Sequence, residues 1–360
     1  MTWTPPAPRT THPYFMHDSI FAQPGALRLV TRPNTAALEA AAERLRAMDL
    51  TVLCGIGTSY HAALVGELLF ARVGGLGHRV RAIQSFELAS YWPPPPPRTG
   101  VVAISHRGSK RFSQEALARA KSEGGVGVAV TGKGAARLGD ADFTLVTVDQ
   151  EPSSAHTASY TATLALLVAL ASAVGRDDGF AHALDPVPDQ LALLLGQEAW
   201  DDLAARFGDR RRYWFVGGGP NTATAYEAAL KMSEANYASA TGINCETFLH
   251  GVYASMSPKD LLVLIAPPGP SRARCLDAAR AAKAIGTPVL LLAPEDDREL
   301  AAFAAETIVL PEVDELVSPI LAVVPLQMLA YHIAIHHGVN PDVVRRGEAP
   351  YAAASEHVKL

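Results

Sequence analysis

Thr51-Val52-Leu53-Cys54-Gly55-Ile56-Gly57-Thr58-Ser59 is the stretch that decides the fold. Thr51 to Cys54 reads as a short buried strand, it stops in a turn of small residues, and from about Tyr60 to Arg72 the apolar spacing predicts a helix. The same unit recurs downstream. A strand at about His78 to Ile83 precedes a short helix starting at Ser85, and Val101 to Ile104 is a strand ending in Ser105-His106-Arg107-Gly108-Ser109-Lys110, with a helix to about Glu123. Val126 to Val130 and Phe143 to Val146 read as further strands. Upstream, Thr35 to Leu50 reads as a helix with Asn34 as its N-cap. Pro93 to Pro97 must be a surface loop, because proline has no ladder donor. Strands alternating with helices imply a mainly parallel sheet with helices on both faces, an α/β architecture that binds ligands at the C-terminal ends of its strands.

The pattern then starts again. Tyr160 to Val174 is an Ala-rich apolar helix, too short for a membrane span and better read as a core helix, and a loop is expected around Pro186 to Asp189. Tyr213 to Val216 is a strand ending in Gly217-Gly218-Gly219-Pro220-Asn221, and a long helix is expected from about Thr222 to Ala238. Asp260 to Ile265, Thr287 to Leu292 and Thr307 to Val309 read as strands, and Pro319 to His336 as a closing helix. The second strand–Gly turn–helix start marks a divergent duplication of one α/β unit. The expected layout is a 1–30 N-terminal extension, two α/β domains at 31–185 and 195–338, and a tail at 339–360.

Size and composition agree. A chain of 360 residues with 49% hydrophobic and 19% charged residues can bury two cores. A formal net charge of -5 argues against a nucleic-acid partner. Cys54, Cys245 and Cys275 are far apart and read as buried thiols in a reducing compartment. Met1 to Thr11 lacks the apolar core of a signal peptide. A cytoplasmic protein with no membrane partner is expected. No His, Asp or Glu group has metal-ligand spacing, so neither a metal nor a cofactor is expected.

Two polar turns stand at strand ends. Gly57, Thr58 and Ser59 place hydroxyls at a helix N-terminus, where free N–H groups and the dipole favour an anion, although Ser59 alone could be a helix cap. Ser105 to Lys110 adds Arg107 and Lys110 with His106 between them, an anion site or else a solvated basic turn. Further on, Lys231 and Glu234 share a helix face, and His250 follows. A carboxylate and an imidazole suit proton transfer beside a carbonyl, while a surface ion pair and a packed or exposed histidine are the ordinary alternatives.

Taken in order, these motifs resemble the sugar isomerase (SIS) domain family, present twice, and within it the isomerase half of the glucosamine-6-phosphate synthases. His17 to Pro24 resembles the entry segment of that half, and Gly57-Thr58-Ser59-Tyr60-His61-Ala62 its first phosphate loop. Glu151 to Leu164 resembles its Glu-containing loop and following helix, Glu227 to Glu234 the helix of its catalytic Glu, Leu249-His250-Gly251 its ring-opening His, and Pro319 to His332 its last helix. The resemblance implies two tandem SIS domains, each a flavodoxin-like three-layer α/β/α unit. It implies that Glu234 moves a proton between C1 and C2 of an open-chain sugar, that Lys231 holds or polarises the substrate, and that His250 opens the ring from the neighbouring subunit of a homodimer. Thr58, Ser59, Ser105 and Ser109 would line the phosphate pocket with Thr157 nearby, alongside Gly57, His106, Arg107, Gly108, Lys110 and His156.

This sequence also departs from the family pattern. The second phosphate loop of the family usually reads Ser-x-Ser-Gly-x-Thr, and here His106, Arg107 and Lys110 bring cations in place of hydroxyls. His156 stands where the relative has a small hydroxyl residue. The family's tail lysine has no match, Lys359 being the candidate substitute. The chain opens Met1-Thr2-Trp3, without the N-terminal Cys of a glutaminase domain, so no use of glutamine in cis is expected. The function implied is a phosphosugar aldose–ketose isomerase, or an amino-sugar-phosphate isomerase or deaminase of the glucosamine-6-phosphate/fructose-6-phosphate type. The alternatives are a non-catalytic sugar-phosphate-binding regulator and an enzyme for another anionic sugar derivative.

Overall fold

Ten parallel strands form two five-stranded sheets in the computed structural model, which describes residues 3–4 and 6–358. In the first sheet β1 (Leu50–Gly55), β2 (Val80–Gln84), β3 (Thr99–Ile104), β4 (Val126–Lys133) and β5 (Phe143–Asp149) lie in the order β2-β1-β3-β4-β5. In the second, β6 (Tyr213–Gly217), β7 (Ala240–Asn244), β8 (Leu261–Ile265), β9 (Val289–Ala293) and β10 (Glu306–Val309) lie in the order β10-β9-β8-β6-β7. Counted from the first strand of each half, the two orders are the same, which is the doubly wound arrangement and supports duplication. Every residue of β3, β6, β8 and β9 is buried, as expected of central parallel strands covered on both faces.

The two halves meet through helices. Thr58–Arg72 packs on Ala158–Gly175 and also on Asn221–Ala235 of the second half, which in turn packs on Ser318–His336. One apolar core runs through both halves. Ala158–Gly175 and Ser318–His336 are long and apolar enough to cross a membrane, but 83% and 89% of their most apolar windows are buried inside the protein. All three cysteines are buried and unpaired.

Four expectations need correction. Residues of the expected N-terminal extension form a helix, Phe15–Leu29, whose buried Met16, Ile20 and Leu27 lie at helical spacing. Its buried Gln23 donates to Gln327 Oε1 (2.9 Å) and accepts from Thr161 Oγ1 (2.7 Å), tying it to both long core helices. The expected loop at 186–189 is the start of a helix, Val187–Leu195, since proline is tolerated in a first helical turn. The long helix ends at Ala235, and β7 follows it. This edge strand is half-buried at every position and lacks an apolar run, so it offers no strand signal; Gly242 lets it approach the helix, since a Cβ there would stand 2.3 Å from the Ala225 carbonyl oxygen.

The fourth correction concerns Asn34, whose side chain does not cap its helix. Its amide donates to the carbonyls of Val30 (2.7 Å) and Val146 (2.8 Å), and its oxygen accepts from the Val146 N–H (2.7 Å). It thereby replaces a neighbouring strand for one residue on the open edge of β5. Asn34→Ala should therefore cost about 2 kcal/mol, from buried groups left unpaired, read as a lowered urea midpoint with unchanged slope.

Candidate functional site

The reversal of strand order in the first sheet falls between β1 and β3, and the two polar turns follow those strands. The crevice there opens into a cavity of about 520 Å³. Gly57, Thr58, Ser59, Ser105, His106, Arg107, Lys110, His156, Lys231 and Glu234 all line it, so both turns meet the second half's long helix. Gly108 shapes the second turn from outside the cavity lining. Its φ is +68°, and a Cβ would stand 1.9 Å from the Ala136 carbonyl oxygen. Ser109 is exposed and Thr157 is buried, and neither is among the cavity's lining residues.

The helix Asn221–Ala235 carries the densest chemistry. Glu227 has a fully buried side chain (0% exposed), as does Lys231 (1%), so the surface-pair alternative fails. Glu227 accepts from Thr58 Oγ1 (3.0 Å) and from the His61 imidazole (2.7 Å), and it lies 3.3 Å from the Lys231 ammonium. Lys231 also donates to Glu234, whose side chain is 23% exposed. Burial would raise the Glu227 carboxyl, but Lys231, His61 and Thr58 outweigh it and hold it low. Burial would lower Lys231, but Glu227 and Glu234 push it up, so it stays charged. Glu234 is raised by burial, with Lys231 offsetting only part. The Thr58 hydroxyl is thus spent on Glu227, whereas the Ser105 hydroxyl is buried and has no partner. Glu227 and His61 lie within two of the quoted motifs, but their meeting is not legible in the sequence, because the positions are 166 apart.

His106, Glu151 and His156 come together with their donor atoms within 4.8 Å of one another, a set invisible in the spacing. The Glu151 oxygens are already spent. They accept from the N–H groups of Thr157 (2.9 Å), Ala158 (3.1 Å) and Ser159 (2.9 Å) and from the Thr157 hydroxyl (3.2 Å). Glu151 therefore anchors the start of Ala158–Gly175, as charge and helix dipole favour. Burial alone would raise its carboxyl, yet the two histidines and these donors hold it well below the usual range. Burial lowers both His106 and His156, so each ring gives up its proton more readily than a free imidazole. A second trio, Asp209, His336 and His337, lies exposed on the surface.

His250 stands apart. Its side chain is 73% exposed, bonds to Glu246 (2.9 Å), and is not among the cavity's lining residues. The 339–360 tail does reach the site. Val344, Arg346, Tyr351 and Ser355 line the cavity, the last two from a helix at Ala349–His357, while Lys359 lies outside the described residues. Asp342 fixes this tail to the N-terminal helix by accepting from the N–H groups of Phe15 (2.9 Å) and Met16 (2.8 Å).

Among known families, the SIS domain profile matches residues 44–173 and 207–337. Over 360 aligned residues the chain is 33% identical to the glutamine–fructose-6-phosphate aminotransferase [isomerizing] of Thermococcus kodakarensis, covering 96% of this chain and 59% of that protein. It thus spans about three fifths of the length of that relative. Among solved structures, it superposes on the C-terminal domain of glucosamine-fructose-6-phosphate aminotransferase from Francisella tularensis with a TM-score of 0.83 at 20% identity, covering 94% of this chain and 99% of that one. Tagatose-6-phosphate ketose/aldose isomerase from Escherichia coli gives 0.79 at 19% identity, covering 95% and 97%. At those identities the two structures speak for the fold.

The Glu151 assignment has a consequence for stability. Glu151→Gln should destabilise the protein by about 2–3 kcal/mol at neutral pH, measured by chemical denaturation. A depressed native carboxyl stabilises above the unfolded-state value of about 4.3, and this is lost as pH falls through the native value. The difference between wild type and variant should therefore shrink below about pH 4.

Proposed function

The chain belongs to the SIS domain family, and on that premise we propose that it acts on a phosphorylated sugar, moving a proton between C1 and C2 of the open-chain form as an aldose–ketose isomerase or an amino-sugar-phosphate isomerase or deaminase. One observation carries this reading: Lys231 and Glu234 of the second half open into the same cavity as the two anion-seeking turns of the first. The phosphate would sit against Ser59, Ser105, Arg107 and Lys110, with the sugar chain running toward Glu234. A carboxyl raised by burial binds a proton more tightly than a solvated one, which suits a group that takes a proton from one carbon and returns it to the next. Lys231, kept cationic by two carboxylates, would donate to the sugar oxygen on which negative charge develops. Isomerase and deaminase chemistry share this proton transfer and differ in what leaves C2.

His250 would serve the cavity of a second subunit, because its own chain leaves it on the surface. The site would then be complete only in a homodimer.

Glu234→Gln should bind fructose 6-phosphate within a few-fold of wild type and lose about 10³-fold in turnover. The base must be deprotonated, so the wild-type rate should fall as pH drops, with a midpoint above the usual Glu value of about 4.3. Turnover at the wild-type rate would overturn the mechanism. Glu234→Gln and His250→Ala chains, each nearly inactive alone, should regain activity when unfolded and refolded together, since a mixed dimer holds one intact site. No recovery would remove His250 from the neighbouring site.

A further inference from the structure

Three cations share the cavity, and among the described residues none of them has a carboxylate partner. Arg107 and Lys110 come from the turn after β3, and Arg346 comes from the tail. Among the described residues, none of the three has a carboxylate within 4.0 Å. Acids are not scarce nearby: Arg111 pairs with Glu115 (2.7 Å) and Arg345 with Glu348 (2.8 Å). The carboxylates that face or back the cavity are already taken, Glu234 and Glu227 by Lys231 and Glu151 by the helix amides. The Arg107 guanidinium lies over the ring of Trp3, 5.6 Å from its centroid. The trio also repels itself. Burial lowers Lys110 first, and Arg107 and Arg346 lower it further; burial and then Arg346 do the same to Arg107.

Arg107 and Arg346 are exposed and Lys110 is half-buried, so water solvates them in the empty site and an anionic ligand can take the place of that water. A phosphate monoester carries about -1.5 to -2 at pH 7. Seated at the unpartnered Ser105 hydroxyl, it would balance two of the three cations and leave about one without a partner. The cavity, about 520 Å³, lies within the range that holds ligands larger than one hexose phosphate. We propose that the ligand of this site is a phosphosugar carrying a second anionic group, a carboxylate or a second phosphate, which Arg346 holds together with the Arg107–Lys110 turn. The inference rests on the phosphosugar reading above and names the class within it. Arg346 is the specificity-determining residue, because it brings its charge from the tail rather than from either phosphate turn.

The experiment is calorimetric titration of the full-length wild-type chain with fructose 6-phosphate, 6-phosphogluconate and fructose 1,6-bisphosphate at two salt concentrations. The doubly anionic ligands should bind about tenfold or more tightly than fructose 6-phosphate, a gap that narrows as salt rises. Whichever of the two gains more identifies the second group as carboxylate or phosphate. In Arg346→Ala the advantage should fall to about threefold or less. Equal or weaker binding of both doubly anionic ligands would overturn the inference while leaving the phosphosugar reading in place. An advantage that survives in Arg346→Ala would overturn the role of Arg346. Binding of none of the three would overturn the phosphosugar reading itself. The wild-type comparison needs no variant, so a poorly folding Arg346→Ala would not rescue the proposal.

Discussion

Glu227 is the constraint on which the site depends. A carboxylate with no solvent is tolerated only when its charge is matched and its oxygens are bonded, and Glu227 meets both needs by reaching across the two halves. Thr58 and His61 belong to the first half's helix that follows the turn at Gly57, whereas Lys231 sits one turn further along Glu227's own helix. The two halves therefore cannot shift relative to each other at this point without stranding a buried charge. The same contact fixes Lys231, and through it Glu234, at a set place beside the turn at Gly57. Position and protonation share one cause. The burial that makes Glu227 demanding also raises Glu234, while the two carboxylates keep Lys231 charged against that same burial.

Duplication would provide two such crevices, and in the second a carboxylate of the chain itself lies against both turns. The turns after β6 and β8 hold Gly219 and Gly269, the counterparts by strand order of the turns that line the cavity. A Cβ on Gly219 would stand 3.4 Å from a Glu315 carboxylate oxygen, and one on Gly269 only 2.4 Å. An internal carboxylate thus lies where the first half presents hydroxyls and cations. Burial raises it, with Arg72 offsetting part. The second half supplies its long helix to the first half's cavity.

What could be read from the sequence was what is local. The turn at Gly55 to Ser59 shows itself because strand, small residues and helix follow one another, and both sheets could be inferred from repeats of that unit. β7 escaped because an edge strand with a central glycine has no apolar run to betray it. The N-terminal helix escaped because the Pro- and Thr-rich start drew it into an extension, although Met16, Ile20 and Leu27 carry a helical period. Lys231 and Glu234 were legible as a pair, but their burial was not, because it is imposed by Glu227 and by partners more than 160 positions away. The His106–Glu151–His156 group is likewise a product of the fold, joining the end of β3 to the start of a helix.

The second turn shows how chemistry can change on a fixed frame. Gly108 sits at φ +68° with its α-carbon pressed toward the Ala136 carbonyl, so the backbone path there tolerates no other residue without shifting. The glycine of the family pattern is therefore present while its neighbours differ. Hydroxyls in such a turn read a phosphate by short, directional bonds and leave little charge behind when empty. Arginine and lysine act over longer distances, are weakened by salt, and repel one another when nothing is bound. Three like charges gathered around one cavity favour a ligand with enough negative charge to meet them. On the proposal above, selectivity would follow from the charge of the ligand more than from the shape of the cavity.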